Sequence, residues 1–498
     1  MVVCYKILIL RYYIILMENA GGIPHVLQYN LNSMAAVSFN SFEISPSTGT
    51  SNVLPNGQIS FQLPNNALLD AKTSKITFSV KTSGSCGARL PNNIQNLFSR
   101  IEVKAGGVSI YSGSNFNHIV ENVKVNMGQR KVCGVTGHAD FLDGADATGG
   151  TLAAGVDETY DARIGTVSNL FAIDLGEFSE IQPRLISTEL LPQLTVTLTV
   201  NTAQALSSII SSRAPRGTST NSVTLPHASA SSATFEIIRP RMHVNMYSLG
   251  SGAYNSAIRS KMADVGYLSM CYENTLVFNQ TWTGSARFSL SAQSLKRLTA
   301  VFRRKSAATT ITAAIPIVGG AAADFDGDGA VYGFYGSSYV NNAGIAEYMG
   351  ASTQFSLPVA TPAHGASVDD GTAFNYSATT GMELQWKIQS ALIPNYACDV
   401  VAQAELTKHA YNIDEFAKAR LPVQYLFNYH AFGIPLCLPE TPLDKKTISG
   451  LNTMSTNAFI ELTSSGANRD VANYDCFILA CTDNILRVGE GKAIEVIS

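Results

Sequence analysis

Charged side chains are scarce in this sequence of 498 residues. They make up 14% of the chain, against about 25% in an average globular protein. Lys and Arg number 34, Asp and Glu number 37, and the formal net charge is −3. Proteins that grip the nucleic-acid backbone concentrate their basic residues, whereas the densest basic run here is Arg303-Arg304-Lys305. We therefore expect no direct nucleic-acid binding, and a surface with few charges favours a protein covered by neighbouring molecules.

Cysteine pairs of the kinds that hold zinc or build a disulfide framework are also missing. No CxxC motif occurs, and no close cysteine pair is matched by a second pair or by suitably spaced histidines. We predict that the cysteines are reduced, mostly buried, and made in a cytosol-like compartment. The eight are Cys4, Cys86, Cys133, Cys271, Cys398, Cys437, Cys476 and Cys481.

Catalytic motifs are absent as well. The sequence contains no GxSxG nucleophile elbow, no HExxH zinc motif, no phosphate-binding P-loop and no GxGxxG dinucleotide motif. Its eight histidines include no pair at metal-ligand spacing. We predict a protein that is not an enzyme and has no catalytic, cofactor-binding or metal-binding residues. Two carboxylates brought together from distant strands would still be compatible with the sequence.

One segment resembles the start of an EF-hand calcium loop. Asp324, Asp326 and Asp328 alternate in "ADFDGDGAV". A working loop of this kind closes with a bidentate Glu at position 12, but that position is Tyr335. Helical sequences do not flank the segment either. We interpret it as a Gly/Asp-rich turn, with partial cation binding as the alternative.

A second polar group surrounds His138 in "GHADFLDGAD", with Asp140, Asp143 and Asp146 close by in sequence. Such a grouping can bind a cation. The interpretation that we favour is a polar surface loop.

The N-terminal sixteen residues are apolar but interrupted by Lys6 and Arg11. They are too short to span a bilayer, and the following "MENAGG" offers no signal-peptide cleavage site. Three explanations stay open: a start at Met17 or Met34, a packed arm, or a membrane anchor. We favour the first two.

Hydrophobic periodicity of two dominates the rest of the chain and predicts β-strands with one buried face. The best hairpin is residues 100–112, where a Gly-Gly turn joins two alternating runs. The clearest helix is predicted at residues 412–421, with Asn412 or Asp414 as its cap and Pro422 as its stop. Because the chain exceeds the roughly 250–300 residues of one core, we expect at least two packed units.

The two halves of the chain repeat each other's strand pattern. The predicted strands of residues 170–200 match those of 431–465, and "GQISFQLPNNALL" matches "SARFSLSAQSL". "FSRIEVKAGGVSI" likewise matches "ELQWKIQSALI". This favours a tandem pair of similar β-sandwiches. Long polar segments separate the strands, at residues 114–168, 207–232 and 304–380, and loops of this length usually carry surface contacts.

With these features the chain resembles the double jelly-roll major capsid proteins of double-stranded DNA viruses, most of all those of virophages and polinton-like viruses. The resemblance is carried by the opening strands of residues 38–64, the hairpin at 100–112 and the closing strands of 448–498. It covers roughly residues 35–498 and is one of pattern. The N-terminal block typical of the large nucleocytoplasmic viruses is not present.

The resemblance implies an all-β fold of two tandem jelly-roll sandwiches, with long loop insertions and a few short helices. The division it predicts is an N-terminal arm (1–34), a first jelly roll (35–240) and a second (241–498) with an insertion at about 304–380.

The function that it implies is that of a homotrimeric subunit. Three chains would form a pseudo-hexagonal capsomer of an icosahedral shell, assembled inside the host cell. Minor capsid or penton proteins would be partners, and an internal membrane or an inner-face protein would be reached through the arm.

Two other functions compete with this one. The first is a carbohydrate- or receptor-binding β-sandwich, because a jelly roll serves there too. Such a protein would need an exposed aromatic cluster, whereas Trp282 and Trp386 lie in strand patterns and are expected in the core. The second is a β-rich glycosidase, which needs two carboxylates facing each other across a cleft.

Overall fold

The structure is a computed structural model of the whole chain. It describes residues 37–48, 52–65, 67–83, 88–89, 94–116, 123–124, 127, 170–203, 207–208, 234–249, 258, 260, 262–304, 339–340, 346–347, 382–416, 430–438, 450–454, 459–465 and 474–497. The N-terminal arm, the His138 group, the Asp324–Asp328 turn and most of the long loops lie outside these residues.

The described residues are mainly β-strands. In chain order the strands are β1 Val37–Ile44, β2 Asn52–Val53, β3 Gln58–Gln62, β4 Leu68–Asp70, β5 Lys75–Ser83, β6 Ala88–Arg89, β7 Phe98–Ala105, β8 Val108–Ser114, β9 Phe171–Ile173, β10 Leu185–Ser187, β11 Leu194–Val200, β12 Ser207–Ser208, β13 Thr234–Leu249, β14 Tyr267–Thr281, β15 Ser285–Ser289, β16 Leu295–Arg304, β17 Tyr339–Val340, β18 Ala346–Glu347, β19 Glu383–Ile388, β20 Ala391–Cys398, β21 Phe432–Pro435, β22 Phe459–Ser465, β23 Tyr474–Gly489 and β24 Ile494–Ile497. An α-helix, α1, spans Val400–Tyr411, and short 3₁₀ helices span Ile94–Leu97, Gly176–Glu180 and Glu490–Lys492.

The first half of the chain folds into two facing antiparallel sheets. One contains the run β1-β13-β5-β9, with β2, β4 and β10 attached to it. The other has the order β3-β11-β7-β8. When the eight main strands are numbered along the chain, the sheets read 1-8-3-6 and 2-7-4-5. This strand order is that of a jelly roll.

The second half repeats the arrangement strand for strand. Its sheets have the orders β14-β23-β16-β21 and β15-β22-β19-β20, which again read 1-8-3-6 and 2-7-4-5. The prediction of two tandem jelly rolls is therefore confirmed. All three sequence matches pair equivalent strands: β9 and β11 with β21 and β22, β3 with β15, and β7–β8 with β19–β20.

Alternating burial explains why most strands could be recognised in the sequence. The "LTVTLTV" of β11 alternates between buried and half-buried positions, and β19 does the same. Their inward side chains form one apolar core in each sandwich. Trp282 and Trp386 both lie in the second core, as the sequence predicted.

Strand β23 departs from this alternation and is buried on both faces along most of its length. Cys476, Ile478 and Ala480 point into the second core. The side chains between them, Phe477 and Leu479, point outward, and there they are covered by a third apolar group that we call the outer cluster. The outer cluster consists of Val123, Met127, Val301, Tyr411, Ala431, Phe477 and Leu479.

The predicted hairpin at residues 100–112 is confirmed by β7 and β8. Its turn is made by Gly106 and Gly107, whose φ angles are 56° and 92°. A side chain at Gly106 would bring its Cβ to 2.7 Å from Cβ of Pro192. The turn therefore requires glycine there for both conformation and space.

The helix predicted at residues 412–421 is not found in its described part, because residues 412–416 are not helical, and residues 417–421 lie outside the described residues. The helix α1 ends at Tyr411, and Asn412 lies beyond its C-terminus in the left-handed conformation (φ 51°, ψ 51°). The N-cap is Asp399, whose side chain accepts a hydrogen bond from Ala402 N at 2.8 Å. Asn is well suited to either end of a helix, so the sequence did not reveal that it terminates this one.

The last strand of the first sandwich continues past residue 240, where the sequence had been divided. Strand β13 runs to Leu249, and its residues 242–249 pair with β1. The first strand of the second sandwich, β14, begins at Tyr267.

The described cysteines are free thiols, and Cys398, Cys476 and Cys481 are buried. Burial raises the pKa of Cys398 to about 11 and that of Cys481 to about 12. Thiols of this kind stay protonated at neutral pH and behave as small apolar side chains. No helix within the described part of the chain has the length and apolar character needed to cross a membrane.

Candidate functional site: the junction of the two sandwiches

The two sandwiches are joined by strands that belong to both. Strands β14 and β23 pair along their whole lengths, but only one end of the pair lies over the second core. At the other end, Met270, Tyr272, Leu486 and Val488 are buried in the core of the first sandwich. The C-terminal strand β24 pairs with this same end of β23 and packs against the first core. The cores are therefore distinct, but one sheet spans them.

Backbone hydrogen bonds fix β14 to the first sandwich. Gln182 and Cys271 exchange two N–H···O bonds of 2.8 Å each, as neighbouring strands do. One residue further along, the buried Tyr272 hydroxyl donates to the carbonyl of Ile110 in β8. Burial raises the pKa of Tyr272 to about 12, so its phenol keeps the proton that this bond requires.

A buried carboxylate, Glu177, lies at the centre of the junction. It is 2% exposed and is held in the 3₁₀ helix Gly176–Glu180 of the first sandwich. Its carboxylate pairs with the Lys124 ammonium and accepts bonds from Thr275 N at 2.8 Å and Thr275 Oγ1 at 2.7 Å. Glu177 thus connects a loop of the first sandwich with the first strand of the second.

The backbone at Glu177 is positioned by its neighbours. Glu177 N donates to the Tyr111 hydroxyl at 3.2 Å. The preceding Gly176 has a φ of 68°, and a Cβ there would come within 2.7 Å of the same hydroxyl. Only glycine meets both conditions, so Gly176 and Tyr111 together aim the carboxylate at β14.

A second group of charges lies on the second-sandwich side. Lys296 Nζ is 2.7 Å from Glu273 Oε1 and 3.8 Å from Asp483 Oδ1. The Arg297 guanidinium lies 3.4 Å from Glu273 Oε2 and 4.7 Å from the centre of the Tyr411 ring. Both cations are buried, and their carboxylate partners offset the cost of removing them from water.

Between the two charged groups is a cavity of about 10 Å³, enough for one water-sized molecule. Its lining comes from both halves of the chain and includes Lys124, Thr275, Arg297, Tyr411 and Cys481. Burial raises the pKa values of Tyr411 and Cys481 to about 12. Neither supplies a nucleophile or a base near neutral pH. The ion pairs and hydrogen bonds of this arrangement hold the two sandwiches together.

The other notable surface is the edge strand β1. It pairs with β13 and, among the described residues, with no other strand. Residues 38–43 are all exposed, including Phe39 (54%) and Phe42 (43%). Phe42 is in register with the buried Val244, so it projects from the core-facing side of the sheet while remaining 43% exposed. Exposed apolar edge strands invite pairing with another chain.

A similar edge occurs in the second sandwich. Strand β20 pairs with β19 and with no further strand of the described part of the chain. Leu392 (47% exposed) and Tyr396 (52% exposed) project from it. In the described part of the chain, β1 of the first sandwich and β20 of the second are thus edge strands with exposed apolar side chains.

Sequence reasoning did not find the junction. Glu177 lies 53 positions from Lys124 and 98 from Thr275, and Lys124 falls in a segment interpreted as a long loop. The one available signal was a lone Glu inside the apolar block "LFAIDLGEF".

The two tryptophans do not form an exposed aromatic surface of the kind that binds glycans. Trp282 is 2% exposed and Trp386 is 0% exposed.

No protein-family model matches the chain, and no curated protein does. Among solved structures it is similar to the Faustovirus major capsid protein, at 11% identity and a TM-score of 0.49 over 95% of this chain and 94% of that one. It is also similar to the PBCV-1 virus capsid, at 12% identity and a TM-score of 0.47 over 95% of this chain and 99% of that one. The mavirus major capsid protein is similar at 9% identity and a TM-score of 0.42, over 95% of this chain and 94% of that one. The fold assignment itself rests on the strand orders described above.

Proposed function

We propose that this chain is the major capsid protein of a double-stranded DNA virus, a structural subunit that builds an icosahedral shell. One observation carries the proposal: the same eight-strand jelly roll occurs twice and is locked into one body by a buried junction. A shell subunit must keep its shape while its neighbours press on every side, and the Glu177 and Glu273 charge groups supply that rigidity. The scarcity of surface charge supports the same function.

Self-association is the activity that this proposal assigns to the chain. Three chains form a pseudo-hexagonal capsomer, and strands β1 and β20 are the edges that we assign to contacts between copies. Symmetric closure would cover these edges and remove the risk of open-ended aggregation. We place the boundary between the two rolls in residues 250–266, after β13 and before β14.

The remaining parts of the proposal concern location and partners. The protein acts in the virion, after synthesis and assembly inside the host cell, and works without catalysis. Minor capsid and penton proteins are its further partners, and the N-terminal arm of residues 1–34 contacts an internal membrane or an inner-face protein. The apolar character of residues 2–16 supports this last assignment.

Replacing Phe42 with Asp is expected to abolish assembly and leave the fold intact. Phe42 is 43% exposed in the single chain, so its loss changes the free energy of unfolding by no more than about 0.5 kcal/mol. A buried carboxylate at a contact between copies costs several kcal/mol. Static light scattering after size exclusion should give three times 53.2 kDa for the wild type and a single chain for Phe42→Asp.

The matched control is Val401→Asp, which places the same charge at an apolar residue that is 70% exposed on α1. Helix α1 has no open strand edge, so this variant should assemble like the wild type. If Phe42→Asp forms trimers as stable as those of the wild type, then β1 does not lie at the interface between copies. A wild type that stays a monomer at every concentration would contradict the proposed function.

A further inference from the structure

The residue His430 is completely buried in the second sandwich, two residues before the start of β21. Its Nε2 lies 2.7 Å from Gln403 Oε1, and its ring is 5.9 Å from that of Phe302. Around these contacts lies the apolar core of the second sandwich. The tautomer and the protonation state of a histidine in such a place affect the stability of the contacts around it.

The geometry of Gln403 decides which histidine nitrogen carries the hydrogen. Gln403 is itself fully buried, and its Nε2 donates to the carbonyls of Met382 at 2.9 Å and Cys398 at 2.8 Å. Because both amide hydrogens are used, Oε1 must be the atom that faces His430. His430 therefore donates through Nε2–H, and the neutral ring keeps Nδ1 unprotonated.

This hydrogen-bonded group contributes to the attachment of α1 to the sandwich. The fully buried residues of the helix are Gln403, Thr407 and Tyr411, and all three are polar. Thr407 Oγ1 lies 2.8 Å from Ala431 O and accepts from Gly433 N at 2.8 Å. On its inner face the helix is thus held by hydrogen bonds to His430 and to the residues that follow it, together with apolar packing against the second core and the outer cluster.

The charged and titratable groups that the structure describes on the surrounding elements have other contacts or lie at the surface. On α1, Lys408 pairs with Glu405, and His409 is exposed. On β16, Arg303 stacks on Phe477 of the outer cluster, on the opposite face of the sheet from Phe302. On β20, burial keeps the Cys398 thiol neutral by raising its pKa to about 11.

We propose that His430 and Gln403 form an acid-sensitive latch, which holds α1 on the second sandwich at neutral pH and releases it when His430 binds a second proton. Protonation adds an N–H at Nδ1 and a full charge inside an apolar core, and water relieves that cost once the helix has moved away. The released state is a local opening in which α1 moves away from His430.

The direction of the pH dependence follows from linkage. Burial lowers the pKa of His430 to about 3 from an ordinary value of 6.5. The open state therefore binds more protons than the closed state between these two values, and opening becomes more favourable as the pH falls through this range. Between pH 6.5 and about 3, each unit by which the pH falls multiplies the opening equilibrium constant by about ten.

Hydrogen–deuterium exchange of residues 400–411 in the assembled protein tests the latch. At each pH the exchange rate of the wild type is divided by that of His430→Gln. This ratio should be about 100-fold higher at pH 4.5 than at pH 7.5. Gln keeps a donor for Gln403 and cannot take up the proton. His409→Gln removes an exposed histidine from the same helix and should behave like the wild type. A ratio of wild type to His430→Gln that stays constant from pH 7.5 to 4.5 would overturn the proposal.

If His430→Gln does not fold, the wild type alone still decides. The exchange of α1, corrected for intrinsic rates and divided by that of the core strand β11, should rise by about 100-fold over the same range. A flat ratio would refute the latch.

Discussion

Residues 250–498, produced without the first sandwich, are expected not to fold into a stable monomer. Met270, Tyr272, Leu486 and Val488 belong to this half but are buried in the core of the other. Each such side chain contributes about 1.5–3 kcal/mol when buried. Exposing all four costs about 6–12 kcal/mol, as much as the whole stability of a typical domain. Circular dichroism during urea titration should show no cooperative transition.

The matched control is co-expression of residues 1–249 with residues 250–498, which restores the missing cover without a covalent link. This pair should co-purify and show a cooperative transition. A lone second half that unfolds cooperatively, with slow hydrogen exchange in residues 485–488, would show that the two rolls are independent domains and that the junction is a surface contact.

Replacing Glu177 with Gln is expected to lower the free energy of unfolding by about 3–5 kcal/mol. The change leaves the Lys124 ammonium, whose side chain is 11% exposed, without its carboxylate partner in a poorly hydrated place. Gln retains an acceptor for Thr275 N, so the loss reports mainly on the ion pair. Urea denaturation monitored by tryptophan fluorescence gives the difference.

Two further variants make this test specific. Glu180→Gln changes an exposed carboxylate of the same 3₁₀ helix and should shift the stability by no more than about 0.5 kcal/mol. The double variant Lys124→Met, Glu177→Gln removes both charges and should recover most of the loss, because a buried ion pair is often replaceable by neutral groups. Equal effects of Glu177→Gln and Glu180→Gln would contradict the assigned role.

The strand plan of this protein could be predicted from the sequence because most strands have one buried face. Strand β11 alternates residue by residue, and the repeated patterns in the two halves correspond to equivalent strands. Strand β23 lies within the closing strands predicted at residues 448–498, but the sequence did not show that both of its faces are buried. Its outward residues Phe477 and Leu479 are covered by the outer cluster, which includes residues from distant parts of the chain.

The junction was beyond sequence reasoning for a different reason. It is built from single residues of distant segments, such as Lys124, Glu177 and Thr275, and no local pattern records that they meet. The length of β13 likewise depends on a distant segment. The part of β13 that follows residue 240 continues as a strand because β1 pairs with it, and that partner lies about two hundred positions earlier.

Electron microscopy of the purified full-length chain tests the central claim most directly. The account predicts trimers with a pseudo-hexagonal outline and two jelly rolls per chain, which associate into sheets or closed shells as the concentration rises. A monodisperse single chain that does not associate, and instead binds or cleaves a glycan, would contradict it.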